Sequence, residues 1–333
     1  MKQTTKNGVL RLKKLNLGSR NKFGMTHRHF GMSWGRNMLT HYRRHAGLVS
    51  ASILFFLMLT GCKSAPVGRP VDALELIDNQ SSFYIAVPRA ADNVLIERII
   101  TGFYDGASES DAKLIADHVN KVYCGLNRSK NSIDIQASVE GSIPRKYLPK
   151  VLNAKHGWES KDYIPQGSVV PYKIYSGTVD MSFPSEKLAC IGRDTQIMID
   201  KFDSLSKLPA DDVNTLYSDL DDELTTYLKG AENEIRFFAN KPQSFLTILT
   251  GAQLDLKLID VKGSFKTDAK HTNQYLLDLD FRFKNGTFLK AGRALLVLAF
   301  GLTNSQEEII DESELLIKDI RIDKQQLYKL LSL

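Results

Sequence analysis

Acidic side chains are absent from the first 61 residues, which carry 11 Lys and Arg, although the whole chain holds 38 Asp and Glu. That absence decides what the formal charge of +6 means, because it leaves 33 basic side chains against 38 acidic ones in residues 62–333, a net of −5. A mildly acidic body offers no electrostatic footprint for DNA or RNA, so nucleic acid is excluded as a partner. Cysteine is scarce: the three, Cys62, Cys124 and Cys190, are too few for a disulfide framework. Histidine is scarce too, and His118, His156 and His271 of the body form neither H-E-x-x-H nor any Cys/His ligand spacing, so no metal site is expected. The G-x-S-x-G, G-x-x-x-x-G-K-[ST] and G-x-G-x-x-G patterns are all missing. Asp117-His118 with Cys124 is a poor nucleophile set, because helical neighbours i and i+1 point apart. No enzyme and no cofactor are expected. Trp158 beside His156 reads as a carbohydrate platform or, more ordinarily, as packing.

No apolar run is long enough to span a bilayer, which takes about 20 residues. A shorter one is present. Arg43 and Arg44 precede the stretch Ala46 to Thr60, centred on Ile53-Leu54-Phe55-Phe56-Leu57-Met58-Leu59. Basic residues followed by an apolar run of this length make a signal peptide. The run ends in Leu59-Thr60-Gly61-Cys62, which resembles the lipobox of bacterial lipoproteins. The resemblance implies cleavage before Cys62, diacylation of its thiol (hence the expectation of palmitate) and anchoring to membrane lipids. A buried helix ending in an ordinary thiol is the alternative, but it would not need such one-sided basic flanks. The 37 residues before Met38 are long for an n-region, so Met38 is the expected start, with Met32 as an alternative. Lys63, where enteric lipoproteins held at the inner membrane carry Asp, leans the expectation towards the outer membrane, facing the periplasm.

Beyond the cysteine, strand and helix signals recur in one order. Phe83-Tyr84-Ile85-Ala86-Val87 reads as a strand, followed by Pro88 and a helix over 93–101 before Gly102; Ile235-Arg236-Phe237-Phe238-Ala239 is followed by Pro242 and a helix over 244–250 before Gly251. The alternating strand 132–139 leads to a helix at 146–152, and Tyr275 to Phe283 leads to a helix from Phe288. Finally 178–183 runs into a helical 185–191, as 317–322 runs into a helical 324–331. The expected fold class is α+β, mostly antiparallel sheets with amphipathic and apolar helices, in two similar lobes from an internal duplication. The expected boundaries are a signal peptide at 1–61, a lipidated N-terminus and tether at 62–80, a first lobe at 81–207, a connecting helix at 208–230 and a second lobe at 231–333. That connecting helix would open at Pro209, with the six acids between 211 and 223 on its solvated face. Cys124 and Cys190 are either buried free thiols or, outside the cytoplasm, a disulfide.

Residues 288–302 are apolar except for Lys290 and Arg293, and the helix at 94–100 is apolar on more than one face. Such helices fill a core or meet lipid. On the second reading, Leu95, Ile96, Ile99, Phe288, Leu295, Leu296, Leu298 and Phe300 line a lipid-binding cavity or insert shallowly into the leaflet. A lipobox followed by an α/β body with several apolar helices is similar to the treponemal outer-membrane lipoproteins that face the periplasm and associate with bilayers. That resemblance implies lipid binding in envelope maintenance, with no catalytic residues to carry over. A scaffold or assembly factor that binds envelope proteins is the alternative.

Overall fold

Strand β1, Phe83–Pro88, is buried along its whole length because side chains on both of its faces have something to pack against. Phe83, Ile85 and Val87 point into one apolar core, while Tyr84 and Ala86 point into another. The computed structural model describes residues 68–103, 108–128, 133–192, 194–210, 216–302 and 307–331; the expected signal peptide and Cys62 lie outside the described residues. Among the described residues all strands join one antiparallel sheet, in the order β11-β12-β10-β9-β8-β1-β2-β3-β7-β6-β5-β4. Their spans are β2 Val119–Arg128, β3 Ile133–Gly141, β4 Glu159–Tyr163, β5 Tyr172–Ser176, β6 Asp180–Ser182, β7 Leu188–Gly192, β8 Ile235–Ala239, β9 Leu258–Thr267, β10 Gln274–Phe283, β11 Glu307–Ile309 and β12 Glu314–Asp323.

The helices are α1 Asn93–Phe103, α2 Glu109–Ala116, α3 Leu148–Val151, α4 Thr195–Ser206, α5 Asp222–Lys229, α6 Pro242–Thr250, α7 Gly286–Phe300 and α8 Lys324–Leu331. The larger core packs one face of the sheet against side chains from α1, α6, α7 and α8, such as Ile96, Phe245, Leu289 and Leu327. On the other face, Leu74 and Leu76 of a 3-10 turn, Met198 of α4 and Leu224 of α5 cover Tyr84 and Tyr123. Strand β10 alternates as its sequence predicts, with Tyr275, Leu277, Leu279, Phe281 and Phe283 all buried. Helix α6 ends at Gly251 in the left-handed region, φ 69°, as the Thr-Gly pattern predicts.

The expected lobe boundary falls inside this one sheet, because β1 pairs with β8 from Phe83↔Ala239 to Ala86↔Arg236. Three other expectations need correction. Residues 188–191, read as part of a helix over 185–191, lie in strand β7, sandwiched between β3 and β6. The connecting helix does not begin at Pro209: α5 starts at Asp222, where the Asp221 side chain accepts from Leu224 N–H and fixes the N-terminus, and the described residues 216–221 before it are not helical. The tether ends before residue 69, since Arg69 is buried and its Nη2 donates to Glu75 Oε1 at 2.5 Å.

Cys124 and Cys190 are both buried and free, which removes the disulfide. Cys124 pairs across the ladder with Ala137, and Cys190 pairs with Ser138. Cross-strand partners share a face, and successive residues of β3 face opposite ways, so the two thiols lie on opposite sides of the sheet. Burial pushes both thiols well above the ordinary cysteine range, so neither is a thiolate nucleophile at neutral pH.

Candidate functional site

Two cross-strand rows build the floor of a cavity of about 530 Å³ on the helix-covered face of β1, β2, β3 and β7. One row runs Ile85–Cys124–Ala137–Ile191 and the other Val87–Val122–Val139–Ala189. Every one of these side chains lines the cavity. Ile96, Ile99 and Ile100 of α1 form one wall, Leu114 and Ile115 of α2 a second, and Leu148, Val151 and Leu152 a third. Polar groups on the lining are few: His118, Ser142 and Tyr147, all exposed, mark the mouth together with the exposed Leu114 and Ile115.

Side-chain size explains why the cavity lies under this half of the sheet and not the other. Three floor positions are small, Cys124, Ala137 and Ala189, and leave room above them. In the rows built from β8, β9 and β10, aromatic rings fill the same layer. Phe237 stacks on Phe83 with centroids 5.6 Å apart, and Phe265 lies 5.1 Å from Phe237 and 5.7 Å from Tyr275. Phe245 of α6 closes on Phe237 at 4.7 Å. Each fully buried ring of this kind contributes roughly 1.5–3 kcal/mol from area removed from water. Helix α7 lies against this filled half. At Gly292 it passes so close that a Cβ would come within 2.3 Å of the Phe283 ring, so only glycine fits there.

The residues expected to meet lipid separate into three groups. Ile96 and Ile99 line the cavity. Leu95 and Leu296 are core residues with no exposed surface, and Phe300 is half-buried against the same core. Phe288, Leu295 and Leu298 are exposed on α7, Leu298 by 80%, but they lie away from the cavity. The α7 expectation of a cavity lining is therefore corrected: one side of the helix seals the filled half and its other side faces outward. Arg293 holds α7 to β11 through a bidentate pair with Glu307, Nη2 to Oε1 at 2.6 Å and Nε to Oε2 at 2.9 Å. The Arg293 guanidinium holds the Glu307 carboxyl below the usual carboxylate range.

The cavity floor is not marked in the sequence at the level of single residues. Cys124 stands out there only as a thiol, and Ala189 and Ile191 read as part of a helix. Trp158 is core, packed with Leu152 and Tyr175. A second, smaller pocket of about 240 Å³ on the opposite face is ringed by charge. Both of its cations are paired within it, Lys262 with Glu223 and Asp280, and Arg282 with Asp260. Among the described residues no group of His, Cys, Asp and Glu converges as metal ligands, and no helix is long and apolar enough to cross a membrane.

The model of a family described as outer membrane-associated lipoprotein TP0453 matches residues 68–328, which is most of the chain and every cavity-lining residue but Leu331. This chain belongs to the TP0453 family. Crystal form I of TP0453, a treponemal lipoprotein, is 21% identical, covers 79% of this chain and 97% of its own, and has a TM-score of 0.58. Crystal form III matches with 20% identity, 79% and 98% coverage and a TM-score of 0.58; for form IV the values are 21%, 79%, 98% and 0.56. At this identity the likeness carries the fold. No curated protein matches the chain. The expected resemblance to treponemal lipoproteins is borne out, and membership of the TP0453 family makes the chain a lipid-anchored protein of the cell envelope.

Proposed function

We propose that this protein is a non-enzymatic lipid-binding lipoprotein, anchored through acylated Cys62 after loss of residues 1–61, that faces the periplasm and takes an acyl chain of an envelope lipid into its cavity. The observation that carries the reading is the cavity itself, apolar on floor and walls and open to solvent at a mouth. Its size is that of small-molecule sites, about 300–1,000 Å³. Filling it with a hydrocarbon chain removes apolar surface from water, at ~0.8 kcal/mol per buried methylene. The expected result is stoichiometric co-purified lipid, read by native mass spectrometry and lipid extraction on residues 64–333, the compact unit that carries all the described elements. Ala137→Leu, which projects three extra carbons into open cavity, should lower that occupancy severalfold. A clean apo protein would overturn the reading.

The outward side of α7 supports a second contact with the bilayer. Phe288 and Leu295 are seven residues apart and Leu298 follows three later, so the exposed apolar groups share one side of the helix. That arrangement suits shallow insertion into the leaflet that holds the acyl chains of Cys62. Leu298→Asp in the unacylated chain is expected to weaken flotation with phospholipid vesicles at least tenfold, since it removes roughly 1.5–3 kcal/mol of leucine burial and adds a charge. The fold should survive because Leu298 touches little. Unchanged flotation would count against insertion through α7.

The same topology supports an internal duplication. On either side of the β1–β8 junction a strand, a helix, two long strands and a further outer strand follow in matching order, β1-α1-β2-β3-β7 and β8-α6-β9-β10-β12. A reading as an envelope assembly factor draws on a different feature, the edge strand β4 and the loop after it, where Ile164, Val169 and Val170 are exposed. Co-purified protein in place of lipid would favour it.

A further inference from the structure

One rim of the cavity mouth, at Tyr147, carries two lysines. We infer that the bound amphiphile has a single long chain and an anionic head, held by Lys146 and Lys150 over the Tyr147 ring. This rests on the reading of the cavity as an acyl-chain site and specifies what it takes. Tyr147 lines the mouth and is 49% exposed. Both ammonium groups converge on its ring, Lys146 Nζ at 5.0 Å and Lys150 Nζ at 5.6 Å from the centroid. A ring face attracts cations, so the tyrosine gathers two of them at the point where a ligand head would emerge. Among the described residues neither lysine has an acidic partner within ion-pair distance, whereas Lys257, Lys262, Lys266, Lys318 and Lys324 are all paired.

The surrounding sequence makes the same point independently. Residues 141–158 contain four Lys and Arg and no Asp or Glu, in a body whose net charge is negative. A basic stretch against an acidic average, wrapped round the exit of an apolar cavity, matches an amphiphile whose tail is buried and whose head is a carboxylate or phosphate. On α2, which supplies the facing wall, Asp111 is already engaged: its Oδ2 accepts from Ser108 in a capping box at the helix N-terminus. Cavity size limits the tail. A methylene takes about the room of a water, roughly 30 Å³, so a cavity of about 530 Å³ suits one long chain better than two.

The test compares three ligands of equal chain length, laurate, dodecyl phosphate and 1-dodecanol, by calorimetric titration into residues 64–333. The two anions are expected to bind about tenfold tighter than the alcohol, about 1.4 kcal/mol at 25 °C. Raising salt should erode the difference. The double variant Lys146→Gln/Lys150→Gln should abolish it while leaving dodecanol affinity unchanged, which also reports that the cavity is intact. Equal affinity for laurate and dodecanol in the parent, or an anion preference that survives the double substitution, overturns the head assignment and leaves the cavity reading standing. Displacement of dodecyl phosphate by inorganic phosphate at equal concentration would mean a free-anion site and overturns it too. If none of the three binds, the cavity reading itself falls and this inference with it.

Discussion

A Glu75→Ala chain is expected to lose about 3–5 kcal/mol of stability, the cost of leaving a buried charge without its partner. Glu75 has no exposed surface, and Arg69 is almost as deeply buried. The Glu75 carboxylate takes Arg69 Nη2 and also accepts from the backbone N–H groups of Asp72 at 2.9 Å and Tyr217 at 2.7 Å. It therefore ties the N-terminal turn to the segment before α5, and the Tyr217 ring lies 5.0 Å from the Arg69 guanidinium. Alanine removes the counter-charge and two acceptors together. Glu75→Gln keeps the shape and part of the hydrogen bonding, so it should cost less, and the gap between the two variants isolates the charge. Replacing Arg69 and Glu75 together with apolar residues should recover most of the loss, because a buried pair is offset by its own desolvation. Urea midpoints at constant m-value give the answer, and a loss under about 1 kcal/mol for Glu75→Ala would refute the account.

The second large effect is expected at Asp92, where alanine should cost roughly 3 kcal/mol. Its buried carboxylate accepts from Tyr275 Oη at 2.7 Å, from Lys324 Nζ at 2.6 Å and from the backbone N–H of Leu95 at 3.0 Å. One side chain thus joins the start of α1, the start of β10 and the start of α8. Burial and the neighbouring Asp92 charge push the Tyr275 phenol far above its ordinary value, so it remains a donor at any working pH. Lys324 keeps some access to water, which is why the expected cost stays at the lower end for a buried pair. The loss should also be local: α1 forms a wall of the cavity, so amide exchange across 93–103 should quicken more than exchange in β9 and β10. Uniform exchange, or a stability change within about 0.5 kcal/mol, would show that Asp92 is not a fastening point.

Several elements are legible in the sequence because one physical pattern dominates them. Strand β10 alternates strictly, and α6 carries proline at its start and glycine at its end, so period and punctuation agree. Strand β7 is not legible, for a definite reason. Leu188-Ala189-Cys190-Ile191 is packed on both faces, and a short continuous apolar run has no period to distinguish strand from helix. Strand β2, buried on both sides through Val122, Tyr123 and Cys124, is hidden by the same cause. The start of α5 goes to Asp221 and not to Pro209, a contest between two good N-terminal signals that local sequence does not decide. For the candidate site, the apolar character of α1 and α7 is visible, but which of them faces a void is not. That depends on alanine and cysteine standing opposite one helix, and phenylalanine opposite the other, across strands far apart in sequence.

The central position of β1 has a kinetic consequence. Its partner on one side, β2, follows within a few dozen residues, but Phe83 meets Ala239 across 156 residues of chain. Closing a loop of that length costs entropy before any contact repays it, and sheets dominated by such distant pairings fold slowly. Until β8 exists, β1 is an open edge with an apolar face, the kind of surface that templates aggregation. Synthesis from the N-terminus therefore yields a first half that holds the whole cavity floor but cannot finish its own sheet. A chain ending anywhere before residue 235 would carry that edge permanently.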